Sequence, residues 1–461
     1  MNAASTDRSG AVWPIRAHLE LHEELHARPA MPVRSPGVVS YWAQQGMEAA
    51  TALSALRILC ERIGHALPPE GARHFVVKSA AFDLKFERHG EFISWQLSAD
   101  LGMPPTWTDA QALRGTLQAR AIDVLPSEFV SGIGHTPMIA ATHVVVLRAA
   151  QPQWLDACRE AMQAALADRA NIEDIEDLGD AAALLASQVS DGQASVMTDL
   201  RLGPDGFTRF VLVDQGLTRD RLARDVQRLC EIEAYRMLAM LGFPVARAEG
   251  LKLNQIEAQL QTIVDDMAGA RTLDDAAAFD SLLKLAAEIE HGAARTRYRL
   301  SATRAYQRIV LQRLSDLREE RLLGLQKLAG FFNRRFAPAM ALCESTDARI
   351  TDIADRINRA VDLARVRVEA QREANNQELF RSLAHRQKLQ LRLQQTVEGL
   401  SVVAISYYTV SIVAYVAKAA KGLVLPGGIV VQPDVVTALA VLPVVALVYT
   451  LVRRVRKHLD R

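Results

Sequence analysis

The sequence predicts an α+β domain with a largely antiparallel sheet, then a long helical stalk and a C-terminal two-helix transmembrane hairpin. Three patterns predict it. Short alternating runs separated by turn residues fill the first half, strong helix formers dominate the second, and two uncharged apolar runs lie near the end.

The α+β domain is expected over residues 15–245. Within residues 74–98, alternation in FDLKFERH and EFISWQL predicts two strands joined at His89-Gly90. HVVVLR, 143–148, predicts another strand. ASVMTDLRLGPDGFTRFVLVDQG, 194–216, predicts a second hairpin turning at Pro204-Asp205-Gly206. Helical patterns cover about 43–65, 152–166 and 218–241, and strands interleaved with helices in this way suit an antiparallel sheet with helices packed on it.

The stalk is expected over residues 250–398. From about Leu282 it is rich in Ala, Leu, Arg, Glu and Gln, all strong helix formers, and Pro338 is the one clear break. A helix from Leu282 to Arg335 is expected to fold back on the one that follows, with a bundle carrying several further breaks as the alternative. Beyond Pro338, apolar residues recur at Ile350, Ile353, Ile357, Val361, Ala364 and Val368, then at Leu379 and Leu383. Steps of three, four and four give an eleven-residue period, which favours a nearly straight or slightly right-handed supercoil. Unbroken from Ala339 into the first apolar run, that helix would approach ~115 Å. Its polar middle, around Asn375 and Asn376, is either solvent-exposed or fixes register between copies.

The apolar runs, 399–417 (GLSVVAISYYTVSIVAYVA) and 435–452 (VVTALAVLPVVALVYTLV), are free of charge and bounded by charge at both ends. Each is roughly long enough to cross ~30 Å of hydrocarbon as a helix. Pro443 lies mid-run, where a transmembrane helix tolerates proline better than a soluble one. The connector KAAKGLVLPGGIVVQPD turns on Pro426-Gly427-Gly428 and Pro433, so both flanks face one side. Arg453, Arg454, Arg456, Lys457 and Arg461 follow the second run, Arg381, Arg386, Lys388 and Arg392 precede the first, and the connector holds only Lys418 and Lys421. The excess of positive charge places the N-terminal region and the C-terminal tail in the cytoplasm.

Composition agrees with a folded cytoplasmic part. The 461 residues are 49% hydrophobic and 23% charged, with a formal net charge of +1, and no basic patch interleaved with aromatics points to nucleic acid. Cys60, Cys158, Cys230 and Cys343 are isolated and apolar-flanked, as reduced core cysteines are, and no CxxC pair offers a thiolate zinc site. Met1–Trp13 lacks the apolar core of a cleavable signal peptide.

Candidate chemistry is sparse. His18, His22 and His26 share a helix face at four-residue spacing and are a candidate metal set, weighed against a solvated helix end before Pro29. Glu87, Arg88, His89 and Glu91 cluster at the first hairpin turn, as a charged surface or a catalytic group. Arg295, Arg297, Arg299, Arg304 and Arg308 predict a salt-bridged helix face, or a surface for acidic lipid headgroups or a neighbouring copy. Ser401, Ala404, Tyr408, Ser411 and Tyr415 form a small or polar stripe on the first apolar helix, continued by Lys418. Such a stripe faces protein or water. It either packs on the second helix or lines a pore between copies, where Lys418 would oppose divalent cations. No P-loop, GxSxG elbow or GxGxxG fingerprint is present, and no cofactor is specified.

The segments LHARPAMPV, FDLKFERHGEF and LRLQQTVEGLSVVAISYY, with DGFTRFVLVDQGL and EIEAYRMLAMLGFPVAR, resemble domain-of-unknown-function family 3422, bacterial membrane-anchored proteins with no assigned activity. The resemblance covers nearly the whole chain. It singles out His26, Arg28, Pro29, Glu87, Arg88 and His89 as motif residues, and implies a bacterial inner-membrane location. A looser resemblance in layout is to CorA-type magnesium channels, whose Gly-Met-Asn motif after the first span is replaced here by Lys418-Ala419-Ala420-Lys421-Gly422. The expected function is a membrane protein contacting lipid, homo-oligomeric and CorA-like in layout, with a possible conducting role. The alternatives are a membrane-tethered scaffold without conduction, and a membrane-bound enzyme with its site in the α+β domain.

Overall fold

The computed structural model describes residues 30–102, 110–149, 154–170, 184–269, 275–322, 324–421, 424–425, 429–430 and 432–459. The chain divides into two compact units, one of Met1–Arg271 with Asp280–Ala360, the other of Thr272–Phe279 with Val361–Arg461.

The first unit is α+β. Its nine-stranded sheet comprises β1 (Gly37–Gln45), β2 (His74–Lys78), β3 (Phe82–Arg88), β4 (Phe92–Asp100), β5 (Met138–Arg148), β6 (Leu185–Val189), β7 (Ala194–Thr198), β8 (Thr208–Asp214) and β9 (Glu320–Arg321). The order is β2-β3-β4-β1-β5-β8-β7-β6-β9. Every pair is antiparallel except β5 with β8. Both expected hairpins form, β3–β4 and β7–β8, and Gly206 takes the positive φ of 77° that the second turn requires.

The sheet has two unlike faces. Val38, Trp42, Leu84, Phe86, Trp95, Leu97, Val145 and Leu147 alternate onto one, and form an apolar core with α1 (Ala49–Ile63), α2 (Ala110–Leu117), α3 (Ser127–Ile133) and α4 (Trp154–Ala170). The other face carries Tyr41, Lys85, Phe92, Ser94, Gln96 and Thr142, and α5 (Arg219–Met240) packs on it. Thr218 caps α5 by accepting from the Arg221 N–H. α6 (Gly242–Ala268) follows almost at once, and a Cβ on Gly242 would lie 2.2 Å from the Thr303 hydroxyl of α7 (Asp275–Asp316). Close approach of two helices therefore demands glycine there.

Several expectations need correction. The helix expected from residue 43 starts at Ala49, because 37–45 is the central strand β1. That strand is buried on both faces and so lacks alternation. The helix expected over Leu282–Arg335 is divided: α7 ends at Asp316 and α8 (Leu328–Ala419) begins after a turn with Arg318 and Gly324 at positive φ. Pro338 breaks nothing. It lies inside α8, and the buried Phe332, Phe336, Met340 and Cys343 around it offset the missing hydrogen bond. Of the eleven-residue pattern, Ile350, Ile353, Ile357, Val361 and Ala364 are buried and Val368 is half-buried, but Leu379 and Leu383 are exposed, so the pattern packs only over its first part.

In the second unit, residues 369–397 of α8 are exposed throughout, including Leu379 and Leu383. The end of α8 and α9 (Pro433–Leu459) are each long and apolar enough to cross a membrane. Between them β10 (Val424–Leu425) pairs antiparallel with β11 (Ile429–Val430). Pro433 is the first residue of α9, where its missing N–H costs nothing, and Pro443 is carried within it.

Candidate functional site

The most built feature of the first unit is a cavity of about 440 Å³ lined by Arg73, Arg88, His89, Gly90, Phe92, Tyr235, Tyr306 and Ile309. The β3–β4 turn forms one wall, closed by the His89 N–H donating to the Phe92 carbonyl at 2.9 Å. Arg73 precedes β2 and Arg88 ends β3. The Arg88 N–H donates to the Arg73 carbonyl at 2.7 Å, which pairs the two residues at the end of the β2–β3 hairpin, and both line the cavity. α5 contributes Tyr235, and α7 contributes Tyr306 and Ile309.

An aromatic chain crosses the site. His89 stacks on Phe92 with centroids 4.1 Å apart, Phe92 meets Tyr235 edge-on at 6.0 Å, and Tyr235 stacks on Tyr306 at 5.5 Å. His89 Nε2 is 2.9 Å from the Ser94 hydroxyl. Glu91, in the same turn, is a hub. It accepts from the Arg299 guanidinium, from the Tyr306 hydroxyl at 2.9 Å and from the Gln45 amide at 3.3 Å. Burial, and then the carboxylate it serves, push the Tyr306 phenol far above its ordinary value, so it stays a donor. Tyr41 beneath is also raised well above its ordinary value, mainly by burial.

Arg88 and His89, singled out by sequence, thus reach the cavity. Glu87 does not line it, and pairs with the buried Lys85 at 3.0 Å. His18, His22, His26, Arg28 and Pro29 lie outside the described residues. Three arginines of the basic run are ion-paired, Arg295 to Glu249, Arg299 to Glu91 and Arg304 to Asp347. Sequence reasoning missed Arg73, Tyr235 and Tyr306 as one site. The motif EIEAYRMLAML held Tyr235 and the basic run held Tyr306, but nothing local joins them to residue 89.

Also missed was a buried Ser40–His143–Asp205 row. His143 Nδ1 is 2.8 Å from the Ser40 hydroxyl and Nε2 is 3.4 Å from Asp205, which also binds Arg209. His143 stacks flat on Phe207 at 4.1 Å. Burial lowers the imidazole pKa, and His143 and Arg209 hold the Asp205 carboxyl far below the carboxylate range against the opposing effect of burial. This is not a hydrolytic arrangement: Ser40 and His143 are wholly inaccessible, and the Ser40 hydroxyl accepts from the Ile122 N–H. It ties β1 to β5 and to the β7–β8 turn.

In the second unit the face of α8 that packs on α9 carries Val402, Ser406, Val410 and Ala417, opposite Val441, Val445 and Val448. The stripe residues lie elsewhere. Ser401, Ala404, Tyr408, Tyr415 and Lys418 are exposed, and Ser411 is half-buried. Ser401 and Ser411 donate to carbonyls one turn back, at Val397 and Tyr407. The expected packing of the stripe on the second helix is therefore not what this unit uses.

The model of a family described as protein of unknown function, DUF3422, matches residues 13–459, and the chain belongs to that family. No curated protein and no solved structure matches the chain.

Proposed function

We propose that this member of the DUF3422 family is an integral protein of the bacterial inner membrane, in which the hairpin 399–417 and 435–452 tethers a cytoplasmic α+β unit to the bilayer. One observation carries the reading. Leu400, Val403, Ile412, Val416, Leu439 and Leu442 stand out from the helix pair, with Leu400 71% and Leu442 79% exposed. A core helix would cover them. Uncovered in water, each forfeits about 1.5–3 kcal/mol of burial, which hydrocarbon supplies. The excess of Arg and Lys outside the connector supports cytoplasmic ends. The test is a pair of fusions after Arg461. A reporter active only in the cytoplasm should work and one active only in the periplasm should not, and the reverse pattern overturns the orientation. Recovery of the chain in the soluble fraction overturns insertion itself.

A second reading is assembly of copies around the first apolar helix, giving a CorA-like layout with a conducting path. Two observations favour it: the stripe Ser401–Lys418 is left open, and α8 leaves Leu379, Leu383, Leu389, Leu393 and Val397 uncovered on the segment before it. Cysteines at Ser401, Tyr408, Ser411 and Tyr415 should then react with small polar thiol reagents while those at Val403 and Ile412 do not, and Lys418→Glu should raise cation flux. A monomeric mass in detergent eliminates this reading.

A further inference from the structure

We propose that residues 15–29 of this chain dock along β3 and β4, on the sheet face turned away from the apolar core. The argument begins with coverage. Strands lie about 4.8 Å apart and a helix is about 10 Å across. α5 lies chiefly along β5, with β1 and β8 to either side, so β4 and β3 fall two and three strand spacings from it, beyond the reach of one helix. α5 and α7 meet that half of the sheet at the β3–β4 turn, through Phe92 and Glu91. Past the turn, alternation sets Asp83, Lys85, Ser94, Gln96 and Ser98 on this face, opposite Leu84, Trp95 and Leu97. The face is nevertheless covered: Lys85, Ser94, Gln96 and Ser98 are each at most 4% exposed. Burial also raises the Asp83 carboxyl, as a cover that excludes water would. The Gln96 amide nitrogen and the Ser98 hydroxyl have no partner among the described residues, so the covered surface is half polar.

The course of the chain selects the occupant. Residue 30 is the first of the described residues, Met31 and Val33 are buried, and Arg34 donates to the Ala80 carbonyl at 3.3 Å and pairs with Asp100 at 3.5 Å. Ala80 lies between β2 and β3 and Asp100 ends β4, so residues 15–29 lead directly into the far end of these strands, and they belong to the same unit. As a helix, residues 15–29 would span about 22 Å, and the seven residues of β3 span about 23 Å. The spacing places Ile15, His18, Leu19, His22, Leu25 and His26 on one helix face, with Arg16, Glu20, Glu23 and Glu24 turned the other way. A face that mixes apolar groups with imidazoles suits a sheet surface of Lys85, Gln96 and Ser98, where leucines alone would leave buried polar atoms unanswered. The three histidines thereby become contacts to the sheet, a role that neither a metal site nor a solvated helix end gives them.

The experiment uses the full chain in detergent, with photoreactive benzoylphenylalanine in place of His22 or, separately, of Glu23. Irradiation should join position 22 to the peptide 82–100 of the same chain, read by mass spectrometry in monomer-sized protein, and position 23, on the opposite helix face, should not make that link. Ser98→Arg, which sets a long charged side chain into the contact, should speed cleavage by a glutamate-specific protease after Glu20, Glu23 or Glu24 by about tenfold or more. The proposal is overturned if position 22 joins another part of the chain, joins 82–100 only between copies, or links to it no more than position 23 does. It is equally overturned if wild type is cut as fast as Ser98→Arg. Should Ser98→Arg fail to fold, Leu25→Asp, which leaves the sheet intact, decides the protease arm: it should speed the same cleavage while tryptophan fluorescence stays that of the folded unit.

Discussion

Glu91 is the residue whose removal tests the site's architecture most directly. Its side chain is 10% exposed and that of its partner Arg299 is 17% exposed, so both charges are largely out of water. Glu91→Ala strands the guanidinium and leaves the Tyr306 hydroxyl and the Gln45 amide without their acceptor. Removing one member of a buried pair costs about 3–5 kcal/mol, and residual solvent access at Arg299 places this case near 3. Glu91→Gln keeps the shape and an acceptor oxygen, and should cost about 1.5–3 kcal/mol through the lost charge alone. In the double variant Glu91→Ala with Arg299→Met no lone charge remains, so its cost should fall below the sum of the single ones by about 1–3 kcal/mol.

The assay is urea unfolding of the detergent-solubilised chain followed by tryptophan fluorescence. All five tryptophans precede residue 155, and Trp42 and Trp95 are wholly buried in the first unit, so the signal reports on the unit that holds Glu91. If Glu91→Ala lies within about 1 kcal/mol of wild type, or if the double variant is additive, the hub does not hold the turn and the reasoning fails.

The His143 row makes the first unit acid-sensitive. Its folded imidazole titrates below the ordinary 6.5, so the unfolded chain takes up the proton first and stability falls as pH drops below that value, by at most about 1.4 kcal/mol per unit. Asp205, depressed below 3.8, adds loss in the same direction at lower pH, and unfolding midpoints of His143→Gln should vary less between about pH 5 and 7. All four cysteines are buried, with the thiols of Cys158 pushed up to about 12 and Cys343 to about 11. Native protein should therefore leave a polar maleimide unreacted, and urea should release four thiols by mass. Gly242→Val should destabilise by about 1–3 kcal/mol in the same fluorescence assay, since its side chain would drive into Thr303; a neutral result would refute the close approach.

What the sequence made legible follows from how each element is solvated. β3, β7 and β8 announce themselves by turn residues between them, and α5 and the apolar helices by period and length. β1 and β6 are hidden because burial on both faces erases alternation, so GVVSYWAQQ reads as readily as the approach to a helix. The break at 317–327 carries no proline and was invisible beside Pro338, which the helix absorbs. The site was half legible. Arg88 and His89 stand in a charged turn, but Tyr306 meets Glu91 across 215 residues of sequence, a distance no local pattern encodes.

Yet one feature of the basic run did encode that meeting, in its spacing. Arg295, Arg299, Thr303, Tyr306 and Arg313 advance by four, four, three and seven, which keeps them on one face of α7. Each finds a different partner: Arg295 binds Glu249 of α6, Arg299 and Tyr306 bind Glu91 of the turn, Thr303 donates to the Ala239 carbonyl of α5, and Arg313 binds Glu231 of α5. Charge pairs of this kind add little net stability, because desolvation offsets most of their attraction. What they do is penalise every other register: sliding α7 by one turn would strand several partly buried charges at once. The face therefore fixes where Tyr306 stands against Tyr235, and holds the β3–β4 turn that presents Arg88. A dry apolar seam would bind the helix as firmly and leave its register free. The polar seam on this side of the sheet is thus what gives the cavity a defined shape, and substitutions along it should alter that shape before they unfold the unit.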